Sequence, residues 1–328
     1  MIYSKQNTFV CTLLLIAAVA TASFAQPDAL PAEKKTPEPV QKVVVVTGAR
    51  FSYKLVEKWI DDYNKINPHV QIIVESRGSA DPQADILAEV YEHDDEIKKD
   101  REYIDVARYA ILPVANATSS FSKVYRDKGL NTDLINQIFF HDIFGDQENQ
   151  KNIKAPFTVY TRLQKAGVPL IFATYFGHEQ KDIKGKAIAG ADAHLVKALL
   201  RDSTGITYLP LPLIYDTQTR KTVEGLTVLP VDLNGNKKIS DEEKFYDNVD
   251  RVLSQLEALK PAEIKNIPIA YLHLSVDKQN ASPDAVDFLK WVNENGQRDL
   301  HDFGYLRPES KRFDQEKFND FASKREKK

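Results

Sequence analysis

The chain has 328 residues, 28% of them charged, with a formal net charge of −3. Its basic residues are scattered and form no stripe interleaved with aromatics, so a nucleic-acid surface is excluded. A single cysteine, Cys11, excludes a disulfide framework and a cysteine nucleophile.

Residues 1–8 carry one cation, Lys5, and residues 9–20 (FVCTLLLIAAVA) form an apolar run. Ser23 and Ala25 then place small residues at −3 and −1 before Gln26, the order of a secretory signal peptide. A membrane anchor needs about 20 apolar residues, so residues 1–25 read as a cleaved leader. The mature chain is expected in the periplasm or outside the cell, not embedded in a membrane. Residues 26–41 hold four prolines and no apolar periodicity, which reads as a flexible tether.

Residues 43–47 (VVVVT) have the continuous apolar character of a strand covered on both faces. Gly48, Ala49 and Arg50 read as a turn. Leu55, Val56, Trp59, Ile60, Tyr63 and Ile66 then trace one face of a helix that Asn67-Pro68 ends. Residues 70–74 (VQIIV) are the next strand, giving a β-α-β unit that must cross over right-handedly if its strands are parallel. Ser76 to Ser79 form a second small-residue turn, and Asp81-Pro82 predicts a helix through Tyr91. Residues 92–102 are a mixed charge run expected on a solvated helix face or surface turn.

Further on, residues 109–114 (YAILPV) are apolar, and helices are predicted over 130–144, within 161–176 and over 193–200. Strand character returns at 205–215 and 267–276. A helix begun by Ser282-Pro283 ends at Gly296, and residues 311–328 read as a polar terminal helix or tail. Alternating strands and helices predict an α/β fold.

The sharpest local motif is the loop 232–243 (DLNGNKKISDEE). Asp232, Asn234, Asn236, the Lys238 carbonyl and Glu243 fall at positions 1, 3, 5, 7 and 12 of a calcium-loop template, with Ile239 at the apolar eighth position. Ca²⁺ takes six to eight hard oxygens, and this spacing curls them around one point. Lys237 stands where the template has glycine, and a left-handed non-glycine residue costs about 1 kcal/mol. A bound Ca²⁺ is expected to be structural. The competing reading is an Asx-rich turn that caps the next helix.

No helix-borne histidine pair, Gly-x-Ser-x-Gly elbow or phosphate-loop motif occurs. Asp192 and His194 open a helix and read as caps. The chain is expected not to be an enzyme.

In order and spacing, four stretches resemble the phosphate-type periplasmic solute-binding proteins of ABC importers. They are 47–79 (TGARFSYKLVEKWIDDYNKINPHVQIIVESRGS), 106–117 (VARYAILPVANA), 192–211 (DAHLVKALLRDSTGITYLPL) and 267–308, with its FLKWV helix and GY strand. The resemblance implies a two-lobed type II periplasmic binding protein fold. Each lobe is a mixed sheet flanked by helices, and two hinge crossings join the lobes. Lobe one would comprise residues 42–112 and 212–328, and lobe two residues 113–211. It also implies a small anion held by loops at helix N-termini, with an ABC permease as partner and the receptor a monomer. Exposed N–H groups and the helix dipole suit such loops to anions. Thr47, Gly48, Arg50 and Ser52 match the first loop, Arg77, Gly78 and Ser79 the second, and Thr161 and Arg162 the third.

The chain departs from the family's hydroxyl-rich pattern. Gly48-Ala49-Arg50-Phe51 replaces a Gly-Ser-type first loop, and the third lacks a Ser-Gly-Thr core. Arg50 and Arg162 could instead hold a larger oxyanion or carboxylate bidentately. Two other readings are a secreted hydrolase using cleft carboxylates and a calcium-stabilised adhesion module without a small ligand.

Overall fold

The computed structural model describes residues 43–75, 84–90, 99–141 and 153–309, with Phe321 and Ser323. The leader, the tether, Arg77, Gly78, Ser79 and nearly all of the terminal tail lie outside the described residues.

The strands are β1 (Val44–Gly48), β2 (Ile72–Val74), β3 (Ile86–Glu89), β4 (Arg101–Asn116), β5 (Thr158–Arg162), β6 (Lys186–Ile188), β7 (Gly205–Pro210), β8 (Leu226–Val228) and β9 (Ile269–Asp277). The described α-helices are α1 (Tyr53–Ile66), α2 (Ser120–Lys128), α3 (Thr132–Phe139), α4 (Gly167–Tyr175), α5 (Ala193–Arg201), α6 (Leu211–Ile214), α7 (Val249–Ala258) and α8 (Pro283–Asn295).

One strand order is written twice. In the first half, β1 lies between parallel β2 and β3, then antiparallel β9 follows, then β4. In the second, β5 lies between parallel β6 and β7, then antiparallel β4 follows, then β8. The 16-residue β4 serves both: Arg101 to Ala110 pair with β9, and Ile111 to Ala115 pair with β7. Asp105 pairs with His273 and Ala107 with Leu272, so Val106 is an extra residue in the ladder. Such a bulge bends the strand that carries it. The chain returns through β7 into the short α6.

Leu226–Val228 pairs with Val114 to Asn116 on the edge of β4 opposite β7. Gln41–Lys328 is one compact unit.

α1 buries the predicted stripe as far as Tyr63, with Leu55, Val56 and Trp59 having no exposed surface, but Ile66 in the last turn is 62% exposed. The Trp59 indole N–H donates to the Gly296 carbonyl at 3.0 Å, and Tyr63 meets Phe288 edge-on at 5.3 Å, fastening α1 to α8. The Ser282 hydroxyl caps α8 by accepting from the Ala285 N–H, as the Ser-Pro signal predicts.

Four elements differ from expectation. Leu211–Ile214, in the stretch 205–215 predicted as strand, forms the helical turn α6, which Pro212 near its start suits. Residues 86–89, predicted helical, form β3. All four are buried between β1 and β9, and burial on both sheet faces outweighs a local helix-start signal. Arg101 and Glu102, the end of the charged run 92–102 expected on a solvated helix face or surface turn, open the strand β4, where polar side chains find partners across the sheet. Residues 92–98 lie outside the described residues. Arg101 donates to Ser275, and Asp105 meets His273 Nδ1 at 2.6 Å. Thr161 and Arg162 end a strand instead of starting a helix. The sequence TVYTR, rich in β-branched and aromatic residues, suits a pleated surface, and Thr158–Arg162 pairs on both edges.

Candidate functional site

The first predicted loop is the exit from β1. Gly48 adopts φ +132°, and a Cβ there would lie 2.0 Å from the Ala88 carbonyl oxygen, so only glycine fits. The Ala49 N–H donates to that same oxygen at 2.8 Å, tying the turn to β3. A 3₁₀ turn, Arg50–Ser52, leads into α1. Arg50 is exposed, while Thr47 and Ser52 are fully buried. The Ser52 hydroxyl donates to the Ala49 carbonyl at 2.7 Å, and the Tyr53 hydroxyl accepts the Gly48 N–H at 3.1 Å.

The third predicted loop is the end of β5. The Thr161 and Tyr208 hydroxyls are 2.6 Å apart. Arg162 Nη1 donates to Asp192 Oδ1 at 2.9 Å, with the two side chains 12% and 14% exposed. Asp192, read from sequence as a helix cap, makes no cap bond. The buried guanidinium draws its carboxylate instead. His194 Nδ1 accepts the Ala191 N–H at 2.9 Å, closing the turn before α5. One donor is left over: Arg162 Nε is buried and has no hydrogen-bond partner among the described residues.

Tyr109 of β4, packed against the first loop, is fully buried. Its ring lies 5.1 Å from Phe51 in the first loop, and its hydroxyl donates to the Val90 carbonyl at 2.8 Å. Burial pushes the Tyr109 phenol well above its usual pKa, and the Asp192 charge adds to that shift. Tyr208 is raised in the same way. Burial dominates, the Thr161 bond opposes it, and the Asp192 charge again adds. The Arg162–Asp192 pair therefore sits within electrostatic reach of tyrosines on β4 and β7. Tyr305 closes the group, stacking on Phe51 at 6.4 Å and donating to its carbonyl at 3.1 Å.

Sequence reasoning missed Tyr53, Tyr109, Tyr208 and the pairing role of Asp192. No local spacing signals them, since each acts through a partner brought near by the fold.

The calcium-type loop lies elsewhere. Asp232 and Glu243 are 1% and 4% exposed. Asp232 accepts the N–H groups of Gly235, Asn236 and Lys237 at 2.8, 3.0 and 2.7 Å. Glu243 accepts from Leu233 and Ser240, each at 2.8 Å. Lys237 is left-handed, with φ 65°, the conformation the template reserves for glycine. Lys237 Nζ pairs with Asp133, and neither Asp232 nor Glu243 makes an ion pair among the described residues. No group of three His, Cys, Asp or Glu side chains that could hold a metal occurs there either. The loop is anchored to the second half: Leu130 exchanges backbone bonds with Pro230 and Asp232, and Asn266 Nδ2 donates to the Asp232 carbonyl at 2.7 Å.

The doubled strand order and shared β4 make this a type II periplasmic binding protein fold, and solved structures agree. The chain is similar to one described as a phosphate ABC transporter substrate-binding protein from Clostridium perfringens, with bound phosphate. The TM-score is 0.61 at 14% identity, covering 82% of this chain and 100% of that one. It is also similar to an ABC-type phosphate transport receptor from Vibrio cholerae, with a TM-score of 0.54 at 13% identity over 81% of this chain and 100% of that one. No protein-family model and no curated protein matches the chain. Among the described residues, no helix is long and apolar enough to cross a membrane.

Proposed function

We propose that this chain is an extracytoplasmic binding protein that captures a small oxyanion, phosphate or a relative of it, between its halves and performs no chemistry on it. The observation that carries this reading is Arg162. Its guanidinium is nearly buried at the end of β5, paired with Asp192, with an Nε–H that no group among the described residues accepts. A buried donor without a partner is uncommon and costs about 1–3 kcal/mol. A tetrahedral anion would accept from it while Asp192 keeps Nη1. Both similar solved structures are described as phosphate proteins, which supports phosphate as the first ligand to try. Binding would favour the closed arrangement of the halves, the form a membrane permease would read.

A thermal-shift screen against phosphate, arsenate, sulfate and small carboxylates tests the proposal. At about 100 times Kd, a ligand adds roughly 2.7 kcal/mol of stability, a rise of several degrees in Tm. No shift with any of them would remove the reading.

The same proposal includes a structural Ca²⁺ in the 232–243 loop. Its support is the template spacing together with two buried carboxylates that form no ion pair among the described residues, because buried charge calls for compensation. Asp232, Asn234, Asn236, the Lys238 carbonyl and Glu243 would hold the ion. Because the loop is tied to Leu130 and Asn266, the ion would stiffen the second half. Millimolar Ca²⁺ should raise Tm by several degrees over EDTA-treated protein, and Asp232→Ala should abolish the difference. An Asp232→Ala protein that still responds to Ca²⁺, or a wild type that does not, would rule the ion out.

A further inference from the structure

Tyr53 is the first residue of α1, yet its ring folds back over the end of β1. Its hydroxyl accepts the Gly48 N–H at 3.1 Å, donates to the Gly48 carbonyl at 3.3 Å and lies 3.5 Å from Thr47 Oγ1. Thr47 and Gly48 are groups an anion would need at this loop. We infer that the Tyr53 hydroxyl is a built-in competitor for the anion position at the end of β1, so that a ligand reaches the Gly48 N–H only by displacing the phenol. The inference rests on the oxyanion reading proposed above.

The ring is placed to yield. Tyr53 is only half-buried and makes no ring–ring contact among the described residues, whereas Phe51, two residues earlier, packs on both Tyr109 and Tyr305. The phenol also sets a threshold. A neutral solute offers the Gly48 N–H an acceptor no better than the phenolic oxygen already there. A charged oxyanion forms a charge-assisted bond roughly twice as strong. Tyr53 would thus discriminate against uncharged ligands and lower the affinity for charged ones.

Replacing Tyr53 with phenylalanine keeps the ring and removes the competing oxygen. Calorimetric titration of wild type and Y53F with inorganic phosphate and with sulfate should show Y53F binding about tenfold more tightly. That is the equivalent of ~1.4 kcal/mol, near the net value of one hydrogen bond. Equal or weaker binding by Y53F would overturn the inference while leaving the oxyanion reading intact. If neither protein takes up any oxyanion, the inference and the reading fall together. The ¹⁵N–¹H signal of Gly48 in wild-type protein gives a check that does not depend on the variant folding. Displacement requires the signal to move as phosphate saturates, and a stationary signal at saturation refutes it.

Discussion

Arg162→Ala should lower oxyanion affinity by about 100-fold while leaving the fold intact. Truncating one member of a hydrogen-bonded buried charge pair typically costs 2–5 kcal/mol or more, and here two effects combine. The anion loses the Nε–H donor, and Asp192, 14% exposed, becomes a carboxylate without its counter-charge that repels the ligand. Arg162→Lys should recover only part of the affinity. An ammonium can answer Asp192 as a point charge, but it lacks the planar fork that serves Asp192 and a second acceptor together. Titration calorimetry on the three proteins decides the matter. Equal affinity in wild type and R162A would mean that the ligand, if there is one, sits elsewhere.

Gly48→Ala should destabilise the protein by about 3 kcal/mol or more, by adding strain at a glycine-only backbone conformation to overpacking. The new Cβ would lie 2.0 Å from the Ala88 carbonyl oxygen. Relief requires β1 and β3 to part, which breaks the Ala49 N–H to Ala88 bond. Gly177→Ala is the matched control. Gly177 also has a positive φ, 81°, but a Cβ there meets nothing within 4 Å. Its cost should be the left-handed backbone alone, about 1–2 kcal/mol. Urea denaturation separates the two. Equal losses at Gly48 and Gly177 would show that the close approach to Ala88 carries no weight. The second half offers a like contact, because a Cβ at Gly185 would lie 2.3 Å from the Val159 carbonyl oxygen.

What the sequence made legible was whatever depends on neighbours along the chain. The VVVVT run announced β1, the stripe from Leu55 to Tyr63 announced α1, and Ser282-Pro283 announced α8. What escaped depends on neighbours across the sheet. Glu89, His273 and Asp105 occupy one lateral row of β3, β9 and β4, so each polar side chain has company invisible to a reading of charge runs. Asp192 looked like a cap because it precedes a helix, but Arg162, thirty residues earlier, offers a stronger partner. The stretches 47–52 and 161–162 are the positions to which the family resemblance assigns anion loops. Their chemistry was not legible, since it lies in which donors the protein's own groups already satisfy: Ser52 by Ala49, Thr161 by Tyr208 and Gly48 by Tyr53.

The most direct test is to follow the Arg162 Nε–H resonance in ¹⁵N-labelled protein during a phosphate titration. A buried donor that gains a charged acceptor should shift downfield and become protected from solvent exchange, with the same saturation as the heat of binding. A resonance that stays fixed while heat saturates would place the anion away from the end of β5 and contradict the account.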